Sequence, residues 1–206
     1  HRGDTVSSPH DALKSDPYIG PLIERYGRLE LDPAADMFQR LVVAILRQQV
    51  SMAAAEATRE RLFEAADVTP DDLASADETT LRDCGLSRQK ADYVRNVAEA
   101  FESTYDRAYF ESLDDEVVID ELTTIKGVGE WTARMQLLFS LGRPDVFPVG
   151  DLGVRKGMRT LFDDEMSREA MVERAKRWTP YRSYATLYLW RMDEDIAESV
   201  TEVDEA

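Results

Sequence analysis

Read for the spacing of its apolar positions, the chain is helical almost throughout. Phe38, Leu41, Val42, Ile45 and Leu46 recur at three- and four-residue intervals, which predicts a helix over 36–49 whose centre is apolar enough to be covered on most sides. Ser51 stands where an N-cap belongs, ahead of an alanine-rich stretch with Ala54, Ala55, Thr58 and Leu62 on one face; Ser87 plays the same part ahead of 88–101. Shorter helical pieces are expected at 70–76, 78–84 and 106–112. Beyond Asp115 a helix runs into the turn Lys126-Gly127-Val128-Gly129 and restarts over 130–141. A proline-punctuated loop over 143–150 then leads to helices at 152–162, 167–178 and 181–198. No long stretch alternates apolar and polar residues as a strand does, and no internal repeat is visible. The expected fold class is all-α, with two helical lobes flanking a cleft.

Composition narrows the chemistry more than the fold. With 206 residues, 43% of them hydrophobic, the chain can bury a core as one large domain or two small ones. Residues 1–16 are expected to form a flexible, trimmed arm ahead of a helical domain over 17–206; the start lacks the basic and apolar regions of a signal peptide. No apolar run reaches membrane-spanning length, so no membrane partner is expected, and the protein is read as a cytoplasmic monomer of prokaryotic type. Cys84 is the single cysteine, which excludes an internal disulfide and a cysteine-based zinc or iron–sulfur site. The histidines, His1 and His10, leave little room for histidine catalysis. Carboxylates, amides, aromatic rings and backbone must therefore do the work, and neither a cofactor nor a metal is expected.

Charge complicates the choice of partner. Forty-one acidic residues against twenty-five basic ones give −16, the wrong sign for a nucleic-acid binder on bulk charge alone and in keeping with proteins of a salt-rich cytoplasm. The distribution matters more. Residues 122–160 carry six cations (Lys126, Arg134, Arg143, Arg155, Lys156, Arg159) and three acids, whereas 193–206 carries seven acids and no cation. A basic island within an acidic shell can still bind phosphates.

The most specific stretch is Leu122-Thr123-Thr124-Ile125-Lys126-Gly127-Val128-Gly129-Glu130-Trp131-Thr132-Ala133. Two glycines around one small apolar residue permit a tight turn and close backbone approach, and the turn opens a helix whose N–H groups and positive end would meet a phosphate. An ordinary helix–turn–helix corner would satisfy the same spacing. This segment resembles the helix-hairpin-helix, at about 117–141, of the DNA glycosylase superfamily that also carries a Gly/Pro-rich loop and an aspartate. That second half is present as Gly142-Arg143-Pro144-Asp145-Val146-Phe147-Pro148-Val149-Gly150-Asp151-Leu152-Gly153-Val154-Arg155-Lys156. Ile45-Leu46-Arg47-Gln48-Gln49-Val50-Ser51 and Trp178-Thr179-Pro180-Tyr181-Arg182-Ser183-Tyr184-Ala185, continuing to Trp190, resemble the alkylated-base branch, 3-methyladenine DNA glycosylase II. Matching segments run from about 36 to 192.

The resemblance implies a monofunctional enzyme of base-excision repair. It would hydrolyse the N-glycosidic bond of a nucleotide flipped out of damaged double-stranded DNA, releasing alkylated purines: 3-methyladenine first, with 7-methylguanine left open. Asp151 occupies the family's catalytic position. Independently, it lies between a Pro/Gly loop and a helix start, where the positive helix end favours an anion; a plain N-cap aspartate would look alike. Bifunctional members carry a lysine nucleophile two residues after the second hairpin glycine, and Trp131 stands there instead. Trp131 and Trp190 match pocket positions whose indole faces can stack on a cationic base, although either could be core. Met135 and Leu152 stand where a well-known member has further aromatics. Gln49 matches the residue that wedges into the gap left by the flipped nucleotide, with helix capping by Gln48 or Gln49 as the alternative. Lys126, Gly127, Val128, Gly129 and Thr132 are expected to hold a DNA phosphate, Arg182 to hold structure, and Ser87 with Lys90 to mark a helix start. A glycosylase for oxidised or deaminated bases, a non-catalytic DNA-binding module and a helical interaction domain remain as alternatives.

Overall fold

The computed structural model describes residues 7–204, and side chains through 195. Among them the chain forms α1 (Pro9–Leu13), α2 (Ile19–Tyr26), α3 (Met37–Leu46), α4 (Met52–Ala65), α5 (Pro70–Ala74), α6 (Glu78–Asp83) and α7 (Arg88–Ser103). The second half adds α8 (Arg107–Glu111), α9 (Asp115–Thr123), α10 (Glu130–Phe139), α11 (Leu152–Phe162), α12 (Arg168–Ala175) and α13 (Arg182–Asp204). A single 3₁₀ turn, Lys176–Trp178, follows α12. The architecture is all-α, as the apolar spacing predicts, with no strand among the described residues. No helix among them is long and apolar enough to cross a membrane.

Local chemistry sets most helix starts. Asp36, Ser51, Ser87, Asp106 and Ser167 each hold extended backbone, and each side chain accepts the N–H three residues on. Each such cap contributes about 1 kcal/mol. The helices divide into two compact units, Pro33–Leu141 and the remainder of the chain on either side of it.

In the Pro33–Leu141 unit, α3 is central: Leu41, Val42 and Ile45 are wholly buried. The α7 helix packs against α3, α5 and α6 through a stripe containing Ala91, Val94, Val97 and Ala98, and α10 packs against both α3 and α9. An aromatic group closes one part of this core, with Tyr105 and Phe110 at 4.9 Å and Phe38 and Phe101 at 5.8 Å between ring centres.

The other unit is built on α13, which packs against α11, α2 and α1 around Val154, Met158, Trp178, Tyr188 and Leu189. Here residues 9–16 depart from the flexible arm expected over 1–16. His10 and Leu13 are buried, and His10 Nε2 donates to the Leu29 carbonyl at 2.7 Å. Residues 1–6 of that expectation lie outside the described residues. Neither α1 nor α2 shows a periodic stripe in the sequence, because both are short, Pro17 falls between them and α2 carries Gly20 and Pro21 in its first turn. Contacts from far along the chain fix them: the Tyr188 hydroxyl donates to Gly27 O at 2.7 Å and accepts from Leu29 N–H at 3.0 Å. Burial opposes ionisation of Asp16, but N–H groups of Ile19 and Tyr18 and the Arg177 guanidinium outweigh it and hold its carboxyl below the usual range.

Candidate active site

Asp151 is the N-cap of α11, with extended backbone at φ −77° and ψ 130°. Its Oδ2 accepts the Val154 N–H at 3.0 Å and the indole N–H of Trp190 at 2.7 Å. The sequence pointed to Trp190 only as an aromatic face. Its half-buried ring packs on the α13 core with its polar edge on the carboxylate. The loop before Asp151 is held from both ends. Arg155 donates to Val149 O at 3.0 Å and Gly150 O at 2.6 Å, and Asp151 N–H donates to Pro148 O at 2.9 Å.

The start of α13 clamps the same loop further upstream. Arg182 makes a two-pronged pair with Asp145, Nε to Oδ1 at 2.8 Å and Nη2 to Oδ2 at 3.1 Å. The buried Ser183 hydroxyl donates to Arg143 O at 2.6 Å and accepts Val146 N–H at 2.8 Å. The segment Trp178-Thr179-Pro180-Tyr181-Arg182-Ser183 is thus a brace for the Asp151 loop. The sequence alone assigns Ser183 no role, since the loop atoms it holds lie about forty residues away.

In the Pro33–Leu141 unit the hairpin joins α9 to α10. Gly127 has φ 111°, and Gly129 is the N-cap of α10 with no side chain to offer. The backbone ladder of α10 begins with Ala133 N–H to Gly129 O, so the N–H groups of the first turn precede it, the arrangement that receives an anion. Val128 N–H is already bonded to Ile125 O, and the side chains of Val128 and Thr132 are buried. Any contribution of Thr132 to a phosphate therefore runs through its backbone. Lys126 is exposed beside a groove of about 640 Å³ along α7, whose lining includes Tyr93 and Asn96. Glu130 on the first turn of α10 is turned back onto Arg134, at 3.0 Å.

The turn is tied to the α3–α4 junction directly and by way of α7. Gln48 Nε2 donates to Gly127 O at 3.2 Å, Asn96 Nδ2 to Lys126 O at 3.1 Å, and Lys90 Nζ to Leu46 O at 2.9 Å. Burial lowers the Lys90 ammonium from its usual range, and the carbonyl at the end of α3 takes its proton bond. Ser87 accepts Lys90 N–H, so the marker read at that helix start is a working joint. Gln49, the next residue, is exposed and held at φ 56°, a left-handed backbone in a non-glycine residue. Val50 and Met52 beside it are 46% and 66% exposed. Of the remaining expected pocket residues, Trp131 is 45% and Leu152 55% exposed, whereas Met135 is buried as a core residue is. Within one unit the fold thus joins Asp151 to Trp190; within the other it joins the hairpin to the Gln48–Gln49 junction.

Chemically, the first group is an oriented carboxylate at a helix start, able to stabilise positive charge developing nearby or to orient a water. The second offers backbone donors for a phosphate beside an exposed amide with apolar neighbours. Among the described residues no cluster of histidine, cysteine or acidic side chains is placed to hold a metal ion.

Residues 42–181 match the family described as the HhH-GPD superfamily of base excision DNA repair proteins. YfjP of Bacillus subtilis is 32% identical over 188 residues, covering 85% of this chain and 66% of its own length. The crystal structure of a DNA-3-methyladenine glycosidase from Bacillus halodurans is 36% identical with a TM-score of 0.84, covering 93% of this chain and 92% of that one. The Schizosaccharomyces pombe 3-methyladenine DNA glycosylase Mag1, solved with abasic DNA, is 30% identical with a TM-score of 0.79, covering 90% and 96%.

Proposed function

Because the chain belongs to the HhH-GPD superfamily of base excision DNA repair proteins, we propose that it is a monofunctional DNA glycosylase releasing alkylated purines from duplex DNA. The principal substrate is 3-methyladenine, with 7-methylguanine as a second. The observation that carries this reading is the Asp151 carboxylate, fixed at the start of α11 by the Val154 and Trp190 N–H groups. The Bacillus halodurans and Schizosaccharomyces pombe proteins, named for 3-methyladenine, support the lesion class.

In this reading the bond between C1′ and the purine nitrogen breaks with its electron pair moving to the base, and water supplies the new C1′–oxygen bond. An alkylated purine that is already cationic leaves neutral without a proton donor, which suits a chain whose described histidine, His10, is buried in α1. Asp151 stabilises the oxocarbenium character of the sugar or orients the attacking water. The backbone N–H groups at Gly129 and the first turn of α10 anchor a phosphate, with Lys126 adding charge. Gln49 fills the gap left in the duplex, helped by the exposed Val50 and Met52. Trp131 and Trp190 present indole surface to a cationic base. With Trp131 where a lyase would carry its lysine, the sugar strand is left intact.

Incubation with methylated duplex DNA, followed by chromatography of the released bases, tests the reading. Free 3-methyladenine is expected, and borohydride should trap no covalent protein–DNA adduct. Release of only oxidised or deaminated bases from other duplexes would overturn the lesion class, and a trapped adduct would overturn the monofunctional assignment.

A further inference from the structure

The contact between Trp190 and Asp151 is flanked by a residue that has no side chain. Gly153 lies in α11 two residues after Asp151, on a helical backbone that any residue could adopt. Glycine is a poor choice there for helix formation. Space explains it. A Cβ at this position would lie 3.0 Å from Trp190 Cδ1, 3.1 Å from Asp151 Oδ2 and 3.3 Å from Trp190 Nε1. The three nearest atoms all belong to the two partners of the 2.7 Å hydrogen bond.

A Cβ there would oblige Asp151 or Trp190 to shift by a few tenths of an ångström, and each is tethered. Asp151 Oδ2 also accepts the Val154 N–H that caps α11. Trp190 is carried on α13, which crosses α11 so closely that a Cβ on Gly157 would lie 2.9 Å from Leu189 O and 3.0 Å from Leu189 Cβ. Gly153 and Gly157, four residues apart, share one face of α11. At Gly157 the crossing brings α13 up to α11; at Gly153 it lets the indole edge reach the carboxylate.

We propose that Gly153 is a positioning residue of the reaction: its missing side chain admits the Trp190 indole N–H to Asp151, and that donor fixes the carboxylate for catalysis. The proposal rests on the reading of Asp151 as the group that promotes base release. It gives Trp190 a role through its polar edge, separate from any stacking of its face.

The test uses the whole chain and three variants, Gly153→Ala, Trp190→Phe and the double variant. Single-turnover release of 3-methyladenine from a methylated duplex is measured beside the Kd for a duplex bearing an abasic site. Each single variant should slow release about tenfold or more, the scale of losing a hydrogen bond to a charged group, with Kd changed less than about twofold. The double variant should be no slower than Trp190→Phe, because both substitutions remove one contact. Proton–nitrogen NMR supplies a readout that does not need activity. The indole cross-peak missing from Trp190→Phe identifies Trp190, and it should move in Gly153→Ala. A Gly153→Ala protein with wild-type release, an unmoved indole peak, or a double variant whose loss is the product of the singles overturns the proposal. If the wild type releases no alkylated base, the functional reading fails on its own. The indole peak then still decides whether Gly153 controls the contact.

Discussion

Gln49 illustrates how a single residue can trade stability for action. Its backbone sits at φ 56° with no glycine to ease it, and its side chain is exposed between α3 and α4. A left-handed conformation costs a non-glycine residue about 1–2 kcal/mol. Gln49→Gly should therefore stabilise the fold by about 1 kcal/mol in urea unfolding, while base release should fall about tenfold if, as proposed, its amide fills the duplex gap. A variant that keeps full activity would remove Gln49 from the account. The residue types at Asp151, Trp190 and Gln49 were legible from ordered motifs. The indole edge on the carboxylate and the strained φ were not, since both are set by atoms distant in sequence.

At the scale of elements, the hairpin works as a rigid part because its backbone is tied at several points. Gly127 combines φ 111° with a ring so close that a Cβ would lie 2.4 Å from Tyr93 Cγ. Gly127→Ala should cost roughly 2–3 kcal/mol by combining backbone strain with displacement of Tyr93, and should weaken duplex affinity through the same turn. Thermal unfolding and a binding titration check the two effects; an alanine variant as stable as wild type would contradict the packing. The two glycines and the helix restart could be read from the chain, and α11 has the bounds, 152–162, that its apolar spacing predicted. Sequence did not show that Gly127 answers to Tyr93, or that Gln48, Lys90 and Asn96 tie the hairpin to the end of α3. Short helices with a proline or glycine inside, α1 and α2, also escaped. They have too few turns for periodicity; Tyr188 from α13 meets the His10 ring of α1 and bonds Gly27 and Leu29 just after α2.

For the whole molecule, a net charge of −16 sets two salt effects against each other. Phosphate contacts release counterions, so duplex affinity should fall steadily as potassium chloride rises. Self-repulsion among the acidic side chains is screened by the same salt, so the melting temperature should rise over that range. An affinity indifferent to salt would argue against phosphate anchoring at the hairpin. A melting temperature that drops would show that the acidic surface is not under repulsive load.

Asp151→Asn tests the proposed role of Asp151 in base release with almost no change in shape. Single-turnover excision of 3-methyladenine should fall by about 10² or more, with abasic-duplex affinity retained, because the amide keeps the size but not the charge. An asparagine variant that releases the base at a rate near wild type would contradict the account.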